Sequence, residues 1–132
     1  MKDPNNPCLF CNFRESDLVK ENDLAYVSYD SFPVTNMHCL IIPKRHVKDY
    51  FDLTNEEIIA CNKLTKDIKN EIEFKDPTVK GFNIGTNAGK VSGQSILHCH
   101  IHLIPRRVGD VENPQGGVRS VIPSKQHYKR KV

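Results

Sequence analysis

Three histidines alternate in one short segment, His98-Cys99-His100-Ile101-His102, and this spacing constrains the fold more than any other feature of the chain. Residues 96–104 are rich in apolar residues, which predicts a β-strand. Successive side chains of a strand point to opposite faces, so the three imidazoles share one face while Cys99, Ile101 and Leu103 share the other. A polar strand face needs hydrophilic residues but not three histidines. We therefore expect a functional face, since imidazole can act as nucleophile, acid, base or metal ligand.

The rest of the pattern indicates an α+β domain. Residues 24–29 and 38–42 read as two antiparallel strands joined by a loop, and residues 81–86 as a third strand. The capping box Thr54-Asn55-Glu56-Glu57 starts a run of apolar residues at helical spacing, which predicts one amphipathic helix of about five turns. Residues 118–122 could form a short strand. We expect an antiparallel sheet of about five strands around a single long helix.

Length and composition restrict the possible functions. A chain of 132 residues is one domain by size, and 27% charged with 38% hydrophobic residues describes an ordinary globular protein. The net charge of +3 predicts no nucleic-acid partner. The chain has neither an apolar signal segment nor a stretch long enough to span a membrane, so we expect a cytoplasmic protein without a membrane partner. The five cysteines are an odd number without a secretion signal, which favours reduced thiols.

The segment Cys8-Leu9-Phe10-Cys11 has the spacing by which one turn delivers two thiolates to a metal ion. A redox pair of the thioredoxin type would follow a strand and open a helix, and no strand precedes this segment. Tetrahedral zinc needs two further ligands, and His46 and His98 are candidates for a Cys₂His₂ site. Zinc is therefore favoured over free thiols.

Several motifs in order resemble those of the histidine-triad (HIT) superfamily. Residues 98–104 are similar to its signature His-φ-His-φ-His-φ-φ, where φ is hydrophobic, and Gly93-Gln94-Ser95 stands at its usual position before the triad. The segment from His38 to His46 resembles the family's His-x-Leu-Val-Ile-Pro-Lys-x-His. The resemblance covers residues 8–107, so we assign residues 1–107 to a HIT domain and residues 108–132 to an extension that packs on the same domain or on a partner subunit.

The resemblance also implies a metal and a quaternary structure. Bacterial-type members and the related galactose-1-phosphate uridylyltransferases hold zinc with a CxxC pair, a later histidine and the first triad histidine, which correspond to Cys8, Cys11, His46 and His98. Branches without these cysteines also function, so such a zinc is structural, and no organic cofactor is implied. The family usually forms homodimers by extending the sheet and pairing helices.

The activity implied by the resemblance is nucleotidyl transfer at the α-phosphate of a nucleoside 5′-phosphate derivative. The middle histidine, His100, would attack phosphorus to give a nucleotidyl-imidazole that water then hydrolyses. Its other ring nitrogen would donate to a backbone carbonyl on the same strand, which sets the tautomer. His102 would donate to a non-bridging phosphate oxygen, and His38 would add to that network.

The remaining site residues follow from the same resemblance. Ser95 and Gln94 resemble residues that contact the phosphate and help the leaving group depart, and Asn87 would add one donor. Asp30 resembles the residue that accepts hydrogen bonds from the ribose hydroxyls. Arg106 has the charge and fork geometry suited to polyphosphate. The family usually takes purine nucleotides of the AMP type, while the leaving group stays open between an amine, a sulfate and a second nucleotide.

Two rival functions remain. The first is a zinc-dependent metallohydrolase that uses the triad histidines as ligands, because His-x-His on a strand is a good ligand pair. No carboxylate between Phe82 and Pro105 is available to bridge metals or act as a base. The second is a nucleotide-binding regulatory module without catalysis, which the presence of His100, His102 and Ser95 disfavours.

Overall fold

The fold is a five-stranded antiparallel sheet with one long helix, seen in a computed structural model that describes residues 5–130. Residues 1–4 of the predicted HIT domain and residues 131–132 of the predicted extension lie outside the described residues. The sheet order is β1-β2-β3-β5-β4. The elements are β1 (Leu18–Glu21), β2 (Ala25–Tyr29), β3 (Cys39–Pro43), α1 (Asn55–Lys75), β4 (Val79–Thr86) and β5 (Ile101–Arg107). The described part of the chain contains no helix that is both long and apolar enough to cross a bilayer.

The predicted capping box starts α1. The side chain of Thr54 accepts a hydrogen bond from the backbone N–H of Glu57, whose carboxylate accepts from the Thr54 N–H in return. The helix runs for 21 residues and ends at Lys75, with Asp76 as its C-cap just before Pro77. Its apolar stripe packs on one face of the sheet, where the buried side chains include Cys61, Leu64, Ile68 and Ile72 of the helix and Val27, Ile41, Ile101 and Leu103 of the strands.

The opposite face of the sheet is covered by the N-terminal segment. Tyr26, Leu40 and Ile42 form a second buried cluster against Phe10 and Phe13. The Tyr26 hydroxyl donates to the backbone carbonyl of Phe10 over 2.6 Å. Leu40 on β3 lies opposite His102 on β5, so the triad lies on this same face. The sheet thus separates the helix from the histidines.

The histidine strand is displaced from the predicted residues 96–104. β5 begins at Ile101 and continues through Pro105 to Arg107. Further pairing toward His98 would bring Pro43, which has no N–H to donate, opposite this segment. Pro105 is tolerated because β5 has already left β3 at Leu103, and its carbonyl accepts from the Thr35 hydroxyl instead.

Two further differences between the predicted and the observed elements concern short segments. β1 was not predicted, because only Leu18 and Val19 of its four residues are apolar. The predicted strand at residues 118–122 is wrong, since Gly117–Val121 forms a 3₁₀ helix. Gly116 has φ of +84°, and a β-carbon there would lie 2.1 Å from the backbone oxygen of Gln126. The chain therefore turns tightly back on itself where the strand was expected.

Candidate active site and metal centre

The three histidines keep the predicted alternation although two of them precede β5. Cys99 lies in the core, where burial raises the pKa of its thiol to about 12, and Ile101 and Leu103 join the helix-facing cluster. Two hydrogen bonds fix the irregular segment. The Cys99 N–H donates to the Val47 carbonyl over 2.8 Å, and the Thr86 hydroxyl donates to the His100 carbonyl over 2.7 Å. One side of this segment is therefore core and the other is the site.

His100 is held in one tautomer. Its Nδ1 lies 2.9 Å from the backbone carbonyl of His98, which can only accept a hydrogen bond, so Nδ1 carries the proton. Nε2 then keeps its lone pair. The ring is 8% exposed and contacts the ring of Phe10 at a centroid distance of 5.0 Å. The side chain offers an oriented nitrogen that can act as a nucleophile.

His102 is oriented through His38. The backbone N–H of Val34 donates to Nδ1 of His38 over 3.0 Å, so the neutral ring of His38 carries its proton on Nε2. This nitrogen lies 2.9 Å from Nδ1 of His102 and 3.4 Å from Oδ2 of Asp30. Because Nδ1 of His102 accepts, its Nε2 carries a proton and can donate to an anion. Val34 acts only through its backbone, which no sequence pattern reveals.

His38 and His102 both favour the neutral form of the imidazole ring. Burial lowers the pKa of His38, and the nearby carboxylate of Asp30 opposes the shift only in part. Burial also lowers the pKa of His102, with added repulsion from His100 and His38 against partial compensation by Asp30. The tautomers described for His38 and His102 therefore apply at neutral pH.

Cys8, Cys11, His46 and His98 come together as one candidate metal centre, with their ligand atoms within 4.8 Å of one another. The two Nδ1 atoms lie 3.2 Å apart, and three sulfur–nitrogen distances are 3.2 to 3.4 Å. A tetrahedral zinc with ordinary bond lengths would place nitrogen pairs about 3.3 Å apart and nitrogen–sulfur pairs about 3.5 Å apart. Nε2 of His98 lies 2.8 Å from the Pro43 carbonyl, so its Nδ1 is the unprotonated ligand atom. The four residues fit the ion.

Asp30, His38 and His102 form a second group whose ligand atoms lie within 4.8 Å. Coordination through Nε2 of His38 would require that nitrogen to lose its proton while Nδ1 still accepts from Val34. An imidazolate would result, which is costly at neutral pH. This contact weighs against a catalytic metal at the group.

The loop between β4 and the triad contains three further predicted site residues, Asn87, Gln94 and Ser95. Gln94 is buried, and its amide joins this loop to the segment after β3: it donates to the carbonyls of Lys48 and Ile96 and accepts from the Gly89 N–H. Ser95 is exposed and Asn87 is half-buried. Gln94 thus shapes the loop that presents Ser95 just before the histidines.

Arg106 lies on the same face of β5 as His102, and neighbouring side chains bind its guanidinium. Its guanidinium makes a two-pronged ion pair with Asp110, at 2.8 and 2.9 Å, and donates to the side chain of Asn83 over 2.7 Å. It lies four residues beyond His102 on β5. Its charge is already compensated within the protein.

A cavity of about 300 Å³ opens beside Asp30, and we call it the N-terminal cavity. Phe10 and Phe13 form one wall of this cavity, and Leu40 and Ile96 also line it. Sequence reasoning did not assign these side chains to a site. The available signal was the apolar pair between Cys8 and Cys11, which a metal-binding turn alone does not need.

The chain is similar to known proteins in both sequence and fold. A profile of the HIT domain matches residues 13–109. Adenylylsulfatase HINT3 of Arabidopsis thaliana is 36% identical over 110 residues, which cover 80% of this chain and 55% of that protein. Diadenosine triphosphate hydrolase of Plasmodium falciparum, solved in complex with Cyclomarin A, has a TM-score of 0.71 and 25% identity over 86% of this chain and 74% of its own. A zinc-bound histidine triad family protein from Mycobacterium smegmatis has a TM-score of 0.70 and 28% identity, covering 79% and 78%.

Proposed function

This chain belongs to the HIT family, and from that premise we propose that it is an enzyme acting at the α-phosphate of purine nucleoside 5′-phosphate derivatives through a nucleotidyl-histidine intermediate. Relatives named as an adenylylsulfatase and a diadenosine triphosphate hydrolase support the reaction class. The observation that carries the proposal is the tautomer of His100, whose Nδ1 donates to the His98 carbonyl and leaves Nε2 free to attack.

The reaction takes place in two displacements. Nε2 of His100 forms a bond to the α-phosphorus as the bond to the leaving group breaks, and the leaving group takes the electron pair and a proton from solvent. Water then attacks the same phosphorus and releases a proton to solvent, the electron pair of the broken P–N bond returns to Nε2, and a nucleoside monophosphate is released. The neutral ring of His100 is restored and can begin another cycle.

Other residues stabilise charge and position the substrate. His102 donates from Nε2 to a non-bridging oxygen, with its tautomer set by His38. Ser95 assists the leaving group. Asn87 supplies a further donor to the phosphate, as the resemblance implies. Gln94 contributes by holding the loop that carries Ser95 and could turn its amide toward phosphate only by breaking its present hydrogen bonds.

The N-terminal cavity is proposed to take the nucleoside. Its aromatic and aliphatic walls suit the faces of a purine base, and Asp30 at its rim can accept from the ribose hydroxyls. Asp30 would then exchange part of its interaction with His38 for the substrate, which couples ribose binding to the histidine network.

Zinc is the metal that we propose for the site formed by Cys8, Cys11, His46 and His98. When bound, zinc supplies a structural cross-link and no reactive group. The segment that it fixes carries Phe10, which packs on the rings of both His98 and His100. The metal centre would thereby hold one wall of the N-terminal cavity in place.

We propose residues 1–107 as the catalytic domain, residues 108–132 as its extension, and a homodimer as the working unit. β4 is an outer strand of the sheet, and Ile84 on it is 55% exposed, so this edge is available for a second copy. The residues after 107 return to the face of β4 and β5, where Gly117 lies close to Asn83.

The proposal is tested by intact-mass spectrometry of protein quenched during turnover of an adenosine 5′-phosphoramidate. We expect an added nucleotidyl mass on the wild type, none on His100→Ala, and the wild-type adduct on the control His127→Ala, which changes an exposed histidine. Hydrolysis should fall by at least about a thousandfold in His100→Ala. Equal and chelator-sensitive rates in wild type and His100→Ala would instead support the metallohydrolase.

A further inference from the structure

A second, larger cavity of about 550 Å³ lies between the sheet and the residues that follow β5, and we call it the C-terminal cavity. Its floor includes Ile104 on β5, and its rim includes Val34 and Thr35 from the loop between β2 and β3. The outer wall is formed by residues after 107, among them Val118 and Val121. Its volume is in the range of ordinary small-molecule sites.

The C-terminal cavity adjoins the catalytic histidines. Val34 lines the cavity and donates from its backbone N–H to His38. Ile104 follows His102 by two residues on β5, so the two side chains lie on the same face about 7 Å apart along the strand. A group that enters the cavity can therefore remain bonded to a phosphorus held at His100 and His102.

The two cavities lie on opposite sides of His102. Leu40, which lines the N-terminal cavity, is its cross-strand neighbour on β3. Asn83, which lines the C-terminal cavity, is the neighbour of Ile104 on β4. Displacement at phosphorus places the nucleophile and the leaving group in line, so a site with the nucleoside on one side needs space for the leaving group elsewhere.

The lining of the C-terminal cavity combines apolar side chains with polar and acidic ones and carries no free positive charge. Val118 and Val121 are 62% and 77% exposed, so a ligand would cover apolar surface that water now contacts. The cation in the lining, Arg106, is held by Asp110, and Glu112 adds a second carboxylate. A chain of phosphates would meet net negative charge there, whereas an uncharged apolar substituent would not.

From this continuity and charge, we propose that the C-terminal cavity is the leaving-group subsite and that it selects amines with an apolar substituent over polyphosphates. The inference rests on the proposed function and goes beyond it by choosing among the possible leaving groups. Residues 110–121 supply much of the wall, so the segment after β5 sets specificity while the triad sets chemistry.

The test compares kcat/KM for three substrates: adenosine 5′-phosphoramidate, its N-benzyl derivative and a diadenosine polyphosphate. For the wild type we expect the N-benzyl compound to exceed the unsubstituted one at least tenfold, with the polyphosphate lowest. Val121→Trp should lower the benzyl-to-unsubstituted ratio at least tenfold by filling the cavity. The matched control Val108→Trp, at an exposed valine outside the lining, should leave that ratio unchanged.

A second variant tests the charge argument independently. Val118→Lys places a cation in the lining, so the ratio of polyphosphate to N-benzyl turnover should rise at least threefold. If the wild type hydrolyses the phosphoramidates but prefers the polyphosphate, or if neither variant changes its ratio, the function stands and the subsite inference is overturned. If none of the three substrates is hydrolysed, the proposed function fails and the inference fails with it.

Discussion

At the scale of single residues, the role of each histidine depends on what its second ring nitrogen contacts. A carbonyl on Nδ1 leaves His100 with a free Nε2, whereas a backbone N–H on Nδ1 gives His38 a proton on Nε2. In the proposed mechanism the same type of side chain therefore acts as a nucleophile at one position and as a hydrogen-bond donor at another. The sequence predicted which histidines gather, but neither the Val34 contact nor the direction of donation from His38 to His102.

His38→Ala should lower kcat more than it changes KM, because His102 loses the donor that sets its tautomer. Removal of a group that orients a histidine typically costs on the order of tenfold to a hundredfold in activity. Steady-state kinetics across pH measures the effect, and His38→Gln, which keeps an N–H donor, should recover part of kcat. An unchanged kcat in His38→Ala, or no difference between the two variants, would contradict a positioning role for His38.

His38 and His102 should also make stability depend on pH. Their folded-state pKa values are lowered, so the unfolded chain binds more protons below its own histidine pKa of about 6.5. The stabilisation is complete above that pH and is lost as the pH falls through the lower folded-state values. Thermal unfolding from pH 8 to pH 5 should show this decline, and the double variant His38→Gln/His102→Gln should show a shallower one. An equal change of stability with pH in both proteins would contradict a contribution from His38 and His102.

At the scale of elements, the start of α1 is tied to the segment that supplies a metal ligand. Glu57 is 3% exposed and completes the capping box, and its carboxylate also forms a two-pronged ion pair with Arg45, at 2.7 and 3.0 Å. Arg45 precedes His46 in the chain. Because Arg45 and Thr54 both donate to this carboxylate, the pKa of Glu57 is lowered. The helix terminus thereby fixes the backbone beside the metal centre.

Glu57→Ala should lower the free energy of unfolding by about 2 kcal/mol, since it removes the reciprocal cap and leaves Arg45 without its carboxylate partner. Urea denaturation measures this loss. Glu56→Ala is the matched control, because Glu56 is an exposed glutamate in the same helical turn, and its effect should stay within about 0.5 kcal/mol. Equal losses in the two variants would mean that the ion pair and cap contribute nothing specific.

Long periodic elements were predicted well and short ones were not. The helix was confirmed because its cap, its apolar spacing and its terminal proline all agree. β1 has only four residues, and its position follows from pairing with β2 rather than from its own pattern. The predicted strand at residues 118–122 was wrong because a left-handed Gly116 turns the chain, which depends on the contact with Gln126.

At the scale of the whole molecule, the candidate metal centre joins segments that are distant in sequence. Cys8 and Cys11 belong to the N-terminal segment, His46 follows β3, and His98 precedes β5. The same N-terminal segment covers one face of the sheet through Phe10 and Phe13. Loss of the metal would therefore loosen both a cross-link and a wall of the N-terminal cavity.

Chelation should release one equivalent of zinc per chain and lower the melting temperature, because thiolates and imidazoles brought together without a cation repel one another. A colorimetric zinc assay and calorimetry measure the two effects. Cys8→Ser/Cys11→Ser is the control, since it should melt at the lower temperature with or without chelator. Nucleotide affinity should fall as the metal is removed, because the wall of the N-terminal cavity that contains Phe10 is then no longer held in place. A melting temperature insensitive to chelator in the wild type would contradict a structural metal at this site.

The sequence by itself determined the alternation of the triad, the capped helix and the α+β class, because each depends on local spacing, and it named Cys8, Cys11, His46 and His98 as candidate metal ligands through a family resemblance. Tertiary structure decided the tautomers of His38, His100 and His102, the pairing of Arg106 with Asp110, and the two cavities on either side of the triad. These depend on which backbone groups meet across loops far apart in the chain. A one-dimensional pattern contains no such distances.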